Sequence, residues 1–416
     1  MKVLILGGGF MQINAIRRSK AKGLTVIVAD YLPDAPGKKL ADFAEMVSTF
    51  DIEGNIEIAR KYGIDGVFTI GTDQPVLTAA KVAEAFGLPR MISSETALWA
   101  TNKKYMKEVF VNNDIPSSRY LMVKKEDLKD KTDLYKRLSA LNFPIVVKPI
   151  DSQGQRGVFK IYSLEDDVVS FMNQTFAFTW ADEIIVEEFC HGDEITVSAW
   201  VEDLIPYILM ITDRPLLNVE PHLGIPDGHV FPSIYTFSHY EKIKEVVEKI
   251  VKAFNIFSGP IYIQMIVNGN NLEVVEVACR IGGGHEEELI PLVSGIDIVD
   301  IFIEKSIGRS VDICKIKNYD LLSNNKYAMV KFIVGKPGKV KEVRSLDQVK
   351  KMPGVVNAGF YKPDIKEIRP LVDSTCRLGY LLVEGRNRKD LERKVIEAYK
   401  KVEIIDGSGE NMVCFM

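Results

Sequence analysis

The first hundred residues alternate short, wholly apolar runs with amphipathic stretches. "KVLIL" (2–6), "LTVIVAD" (24–30) and "DGVFTIG" (65–71) are nearly continuous in apolar character, as strands buried on both faces must be. Between them, "INAIRRSKAKG", "IEGNIEIARKYG" and "PVLTAAKVAEAFG" carry apolar residues at helical spacing and end in Gly23, Gly63 and Gly87, a common helix stop. "LPRMIS" (88–93) predicts one more short strand. The pattern predicts a parallel, doubly wound α/β sheet over residues 1–98.

From about residue 99 the pattern changes. A Lys-rich helix, "TNKKYMKEVFVNN", leads to strands "FPIVVKPI" and "VFKIY", then "EIIVEEF", "EITVSAWVED" and "LIPYILMIT", with one helical stretch near 165–175. Strand runs with few helices predict an antiparallel, α+β lobe. Residues 206–234 read as loop, because Pro206, Pro215, Pro221, Pro226 and Pro232 punctuate them. A helix, "EKIKEVVEKIVKAFN", precedes the hairpin "GPIYIQMIVNGNNLEVVEVACRIGGGH", and the helix "IVDIFIEKSIG" follows. The last hundred residues read as strands plus one helix, "RKDLERKVIEAYKKV".

Composition narrows the class without choosing a function. The 416 residues are 46% hydrophobic and 26% charged, with 53 Lys and Arg against 57 Asp and Glu, a net charge of −4. Such a balance lacks the basic footprint of a nucleic-acid binder. No apolar stretch approaches the ~20 residues of a membrane span. Cys190, Cys279, Cys314, Cys376 and Cys414 show no C-x-x-C spacing, so the expectation is reduced thiols in a cytoplasmic protein with no leader segment.

The hairpin carries the most chemistry. Strand side chains alternate faces, so Glu276, Ala278 and Arg280 share one face, as do Tyr262 and Gln264 on the partner strand. A turn centred on Asn270 sets Gln264 opposite Glu276, with Cβ atoms ~4.5–5.5 Å apart. Two oxygen-bearing side chains so placed suit Mg²⁺; they equally suit a solvated hairpin face. Arg280, three glycines and His285 follow at once, and such a loop favours an anion beside a metal. The acids Glu287 and Glu288 open the next helix and suit its N-terminus as caps. Upstream, Lys148 ends a strand in "VVKP", and Ser152, Gly154 and Gly157 in "DSQGQRGV" could wrap phosphate with backbone N–H groups. Glu187, Glu188 and Glu194 in "VEEFCHGDEITV" could accept from an amino group or ribose hydroxyls.

In this order the pieces resemble the ATP-grasp superfamily of ATP-dependent ligases, and the resemblance spans the whole chain. It implies a Rossmann-like domain at 1–98, an ATP-grasp domain at 99–315 with a small covering lobe at about 118–188, and a C-terminal domain at 316–416 like that of biotin carboxylase. The branch it resembles holds carboxylate–amine ligases, purine-pathway synthetases and carboxylases, and carbamoyl-phosphate synthetase. The resemblance implies that Lys103 and Lys148 reach ATP, Lys103 at the phosphates and Lys148 at the α-phosphate. It implies that Ser152, Gly154 and Gly157 close over the phosphates. Glu187, Glu188, Phe189 and Cys190 would read adenine, and Glu194 the ribose. Gln264 and Glu276 would hold one or two Mg²⁺, with Mn²⁺ as an alternative ion, and Arg280 would hold the acyl phosphate or carboxylate. Two departures stand out: Asn102 replaces an Asp, and Ala278 replaces an Asn that would help ligate a second ion.

The implied activity is activation of a carboxylate as an acyl phosphate and its joining to an amine, with Lys148 and Arg280 at the reacting groups. Alternatives within the fold are a carboxyphosphate-forming carboxylase, a purine-pathway type synthetase or a non-catalytic nucleotide sensor. Small-molecule acid and amine partners and a homodimer are expected, with no nucleic acid and no membrane. Gly8, Gly9, Gln12, His229 and His285 are the substrate-side candidates. The opening "LGGGFMQ" and Asp30 outline a dinucleotide site, but G-x-G-x-x-G needs glycine where Gln12 stands. The expectation is a substrate-side loop, not an NAD site.

Overall fold

The computed structural model describes every residue except Pro363 and Met416. The first apolar runs form a four-stranded parallel sheet in spatial order Phe43–Glu45, Thr25–Ala29, Lys2–Leu6, Gly66–Phe68. Helices pack on both faces, and Val3, Leu4, Ile5 and Leu6 are wholly buried. "LPRMIS" forms no strand: Pro89 cannot donate to a ladder, and the segment makes only a single backbone bond to the neighbouring sheet, from Ser258 N–H to the Met91 carbonyl.

A six-stranded sheet follows, ordered Leu216–Val219, His222–Pro226, Phe159–Ile161, Ile145–Pro149, Glu183–Glu188, Tyr120–Lys124. Its first two strands correct the loop expected over 206–234. Pro215 precedes one strand, Pro221 sits in the turn and Pro226 ends the other, all places where a missing N–H costs no ladder bond. Gly228–Phe231 is also a strand, and Pro206 lies near the start of Ile205–Asp213.

The largest sheet runs Asn271–Ala278, Ser258–Asn268, Asp193–Glu202, Ile205–Asp213, Gly228–Phe231, Tyr327–Gly335, Gly379–Gly385, Val355–Phe360. It is antiparallel throughout, and Val413–Cys414 pairs beside Tyr327–Gly335. The sheet therefore passes without a break from the hairpin to the last hundred residues. No helix is long and apolar enough to cross a membrane among the described residues. All five cysteines are free thiols.

Candidate active site

Gln264 and Glu276 are paired residues on adjacent strands. The route to that pairing differs from the expected one. The turn has two residues, Gly269 and Asn270, so Asn268 faces Asn271 and Met265 faces Val274. A β-bulge at Val275 then restores Gln264 to Glu276. Bulges of this kind re-aim side chains beside functional sites.

Both residues line a cavity of about 490 Å³. Lys103, at the start of the helix Lys103–Asn112, donates to the Ser152 carbonyl at 2.9 Å and lies 3.4 Å from the Glu276 carboxylate. Burial pushes the Glu276 pKa up, but Lys103, Arg280 and Lys148 more than offset this and hold it below the usual range. Gln264 makes no side-chain hydrogen bond among the described residues. An amide oxygen and an ionised carboxylate thus share one wall, a donor set that fits a hard divalent cation. Ala278 adds no ligand; it pairs with Tyr262, whose ring lies 5.2 Å from the Arg280 guanidinium.

Arg280 is fixed by Asp73, with nitrogen–oxygen distances of 2.5 and 2.7 Å. Asp73 follows the strand Gly66–Phe68, so the C-terminal edge of the parallel sheet faces the cavity, as such sheets generally do. The two loops touch through backbone: the Gly71 N–H donates to the Ile281 carbonyl, and a Cβ on Gly283 would lie 2.6 Å from the Gly71 oxygen. A Cβ on Gly284 would meet His229 Nε2 at 2.2 Å. Burial and the charges of Arg214 and Arg377 push the His229 pKa well down, so its ring is neutral.

Glu187 is buried and accepts from Ser118 Oγ at 2.9 Å, with Lys107 at 3.1 Å and Lys148 at 3.3 Å. Burial raises its pKa, yet Lys107 and Lys148 overcome this and bring it down to about 2. The next residue alternates outward: Glu188 accepts from the Asn142 N–H at 2.8 Å and pairs with Arg119. Cys190 donates to Glu273, and Glu194 is paired with Arg214. The Lys160 ammonium lies 3.9 Å from the centre of the Phe189 ring. The loop 151–157 is held from two sides. The Asp73 N–H donates to Gln153 Oε1, and the Ser374 N–H donates to the Gly154 carbonyl.

The cavity gathers Gly154, His229, Gln264, Glu276 and Arg280. It does not gather Gly8, Gly9 or Gln12, although the intervening Phe10 and Met11 do line it. Gln12 is buried and donates to the Ile70 carbonyl at 2.6 Å, and its side chain fills the space beside Gly7 and Gly9. Asp30 accepts from Gly8 and Leu32 N–H groups, so its oxygens are occupied. His285 is fully buried, stacked 3.5 Å from the Tyr380 ring and bonded to Tyr361. Glu287 and Glu288 are not caps: Glu287 is buried against His285, and Glu288 accepts from Tyr380 and Asn357. Sequence reading missed Asp73, Arg214 and Arg377, and put Tyr262 on the Gln264 face without a role. Asp73 alone had a signal, as an acid just past a parallel strand; the others come together only through the continuous sheet.

Two family models match the chain: the ATP-grasp domain over residues 141–287 and the L-amino acid ligase C-terminal domain 2 over residues 331–405. Phosphoribosylamine–glycine ligase of Pyrococcus horikoshii is 25% identical over 74% of this chain and 72% of its own length. The enzyme of that name from Caldanaerobacter subterraneus is 25% identical over 98% of this chain and 97% of its own. Among solved structures, L-amino acid ligase from Bacillus licheniformis superposes with a TM-score of 0.80 at 19% identity, covering 97% of this chain and 98% of its own. Phosphoribosylglycinamide synthetase from Anaerococcus prevotii gives 0.75 at 22%, covering 97% and 99%. The fold is that of the multidomain ATP-grasp proteins. Residues 141–287 thus carry an ATP-grasp domain, in a chain whose relatives named above are ligases.

Proposed function

We propose that the protein is an ATP- and Mg²⁺-dependent ligase that phosphorylates a carboxylate and joins it to an amine, releasing ADP and phosphate. The observation that carries this reading is the wall formed by Gln264, Glu276 and Arg280 on one cavity, with Lys103 held 3.4 Å from the Glu276 carboxylate. A carboxylate is a poor electrophile, and transfer of the γ-phosphoryl group gives it a leaving group. Charge on the transferred group must be neutralised in place. Lys103 and Lys148 hold the phosphates, and backbone N–H groups of the loop containing Ser152, Gly154 and Gly157 cover them. Mg²⁺ held by Gln264 and Glu276 would supply further charge neutralisation. Arg280, locked by Asp73, orients the carboxylate and then the acyl phosphate. Glu187 fixes Lys148 in its place, and Glu194 and the backbone at Phe189 and Cys190 border the nucleoside end.

The test is ADP release with ATP, Mg²⁺ and pools of acids and amines. Release that needs both an acid and an amine supports the reading, and Glu276→Ala should abolish it while the melting temperature stays near that of the parent. Release driven by bicarbonate alone would assign the carboxylase reaction instead. Full activity in Glu276→Ala would remove the metal assignment.

A further inference from the structure

The cavity collects positive charge in a chain whose net charge is −4. Two of its arginines are already matched, Arg280 by Asp73 and Arg214 by Glu194. Arg156, Lys362, Arg369 and Arg377 also line it, and none has a carboxylate within 4.0 Å among the described residues.

Arg377 is the informative one. Its guanidinium carbon lies 3.9 Å from the centre of the buried Phe332 ring. Its Nε donates to the Ser374 carbonyl at 2.9 Å, and its two terminal nitrogens have no acceptor among the described residues. Burial and the neighbouring Arg214 charge push its pKa below that of an ordinary arginine. A stacked guanidinium with both terminal nitrogens unused is shaped for a bidentate oxyanion. The nucleotide does not supply that oxyanion in the reading above, where the phosphates lie with Lys103, Lys148 and the loop 151–157. Arg377 belongs to the last hundred residues, just past the turn Ser374–Cys376 and two residues before the strand Gly379–Gly385, and Lys362 and Arg369 stand exposed on the cavity lining.

Resting on the ligase reading, we infer that the acid substrate carries a second anionic group, a carboxylate or a phosphate, gripped by Arg377 with Lys362 and Arg369 at the mouth. The reacting carboxylate goes to Arg280 and the second anion to Arg377.

The experiment compares matched acids: succinate with butyrate, glutarate with pentanoate, and 3-phosphoglycerate with glycerate. Each is assayed for ADP release with ATP, Mg²⁺ and an amine pool, and separately for a shift in melting temperature with ATP absent. The doubly charged member of a pair should be preferred in kcat/KM by about 10- to 100-fold, the worth of one charged hydrogen-bonded contact. Arg377→Met should erase that preference through KM, leaving the KM for ATP unchanged, and Arg377→Lys should recover part of it. The dicarboxylate and phosphate arms tell which anion is meant. Equal use of both members, or an Arg377→Met loss shared equally by both, overturns the inference and leaves the ligase reading standing. A melting shift seen only with the doubly charged acids and lost in Arg377→Met, without ADP release from any pair, upholds the inference and removes the ligase reading. Neither turnover nor a shift overturns both.

Discussion

At the scale of single residues, several buried charges stand in matched groups, and breaking one should be costly. Glu187 serves Lys107, Lys148 and Ser118 at once. Glu187→Gln leaves two buried ammonium groups without a counter-charge, and the expected cost is about 3–5 kcal/mol in denaturant unfolding. The same carboxylate sets an acid limit. Its folded pKa, about 2, lies below its ordinary value, so its contribution is complete above that ordinary value and is lost as pH falls through about 2. A depression of this size is worth about 3 kcal/mol. Unfolding midpoints measured from pH 6 down to pH 2 should therefore fall more steeply for the parent than for Glu187→Gln. Asp73 holds Arg280, and in the proposed reaction it would act through it, as a positioning residue. Asp73→Asn should lower kcat by about 10- to 100-fold, as loss of a charged hydrogen bond would, with the KM for ATP unchanged. A parallel rise in the ATP KM would mean that the loop had collapsed instead.

At the scale of elements, close backbone approach decides what is tolerated. Gly157 has φ near +69°, and a Cβ there would lie 2.6 Å from the Phe178 ring. Gly157→Ala should strain the loop by about 1–3 kcal/mol and raise the KM for ATP more than it lowers the melting temperature. The hairpin shows how far sequence reading reaches. Its alternation and its turn signal put Gln264 opposite Glu276, and so they are, yet through a two-residue turn and a bulge. The bulge was not legible because Val275 is apolar and suits either face of the strand. The parallel sheet was legible because its strands are apolar on both sides. The hairpin Leu216–Pro226 was not, because proline counts as a breaker in a linear reading and as an edge residue in a sheet. The opening glycines misled for a related reason: Gln12 fills its own turn with a side chain, which spacing alone does not reveal.

At the scale of the molecule, the cavity is built by the whole chain. Asp73 comes from the parallel sheet, Gln264, Glu276 and Arg280 from the hairpin, and Tyr361 and Arg377 from the last hundred residues. A sequence shows each piece but not their meeting, since Arg280 and Asp73 are brought together over 207 positions. One sheet joins the hairpin to the C-terminal strands, so removing residues after 315 would expose the Gly228–Phe231 edge that now pairs with Tyr327–Gly335. An uncovered apolar edge invites association. The truncated chain should elute as aggregate in gel filtration and release no ADP. A monodisperse, active fragment would show that the C-terminal strands are dispensable.

The segment Ser374–Arg377 joins two events that the chemistry keeps apart. Its first residue holds the Gly154 carbonyl, and its last presents the unpaired guanidinium. The loop 151–157 and the guanidinium inferred to take the acid's second anion thus hang on one stretch of four residues, so a change that shifts this stretch would disturb both ends of the cavity together.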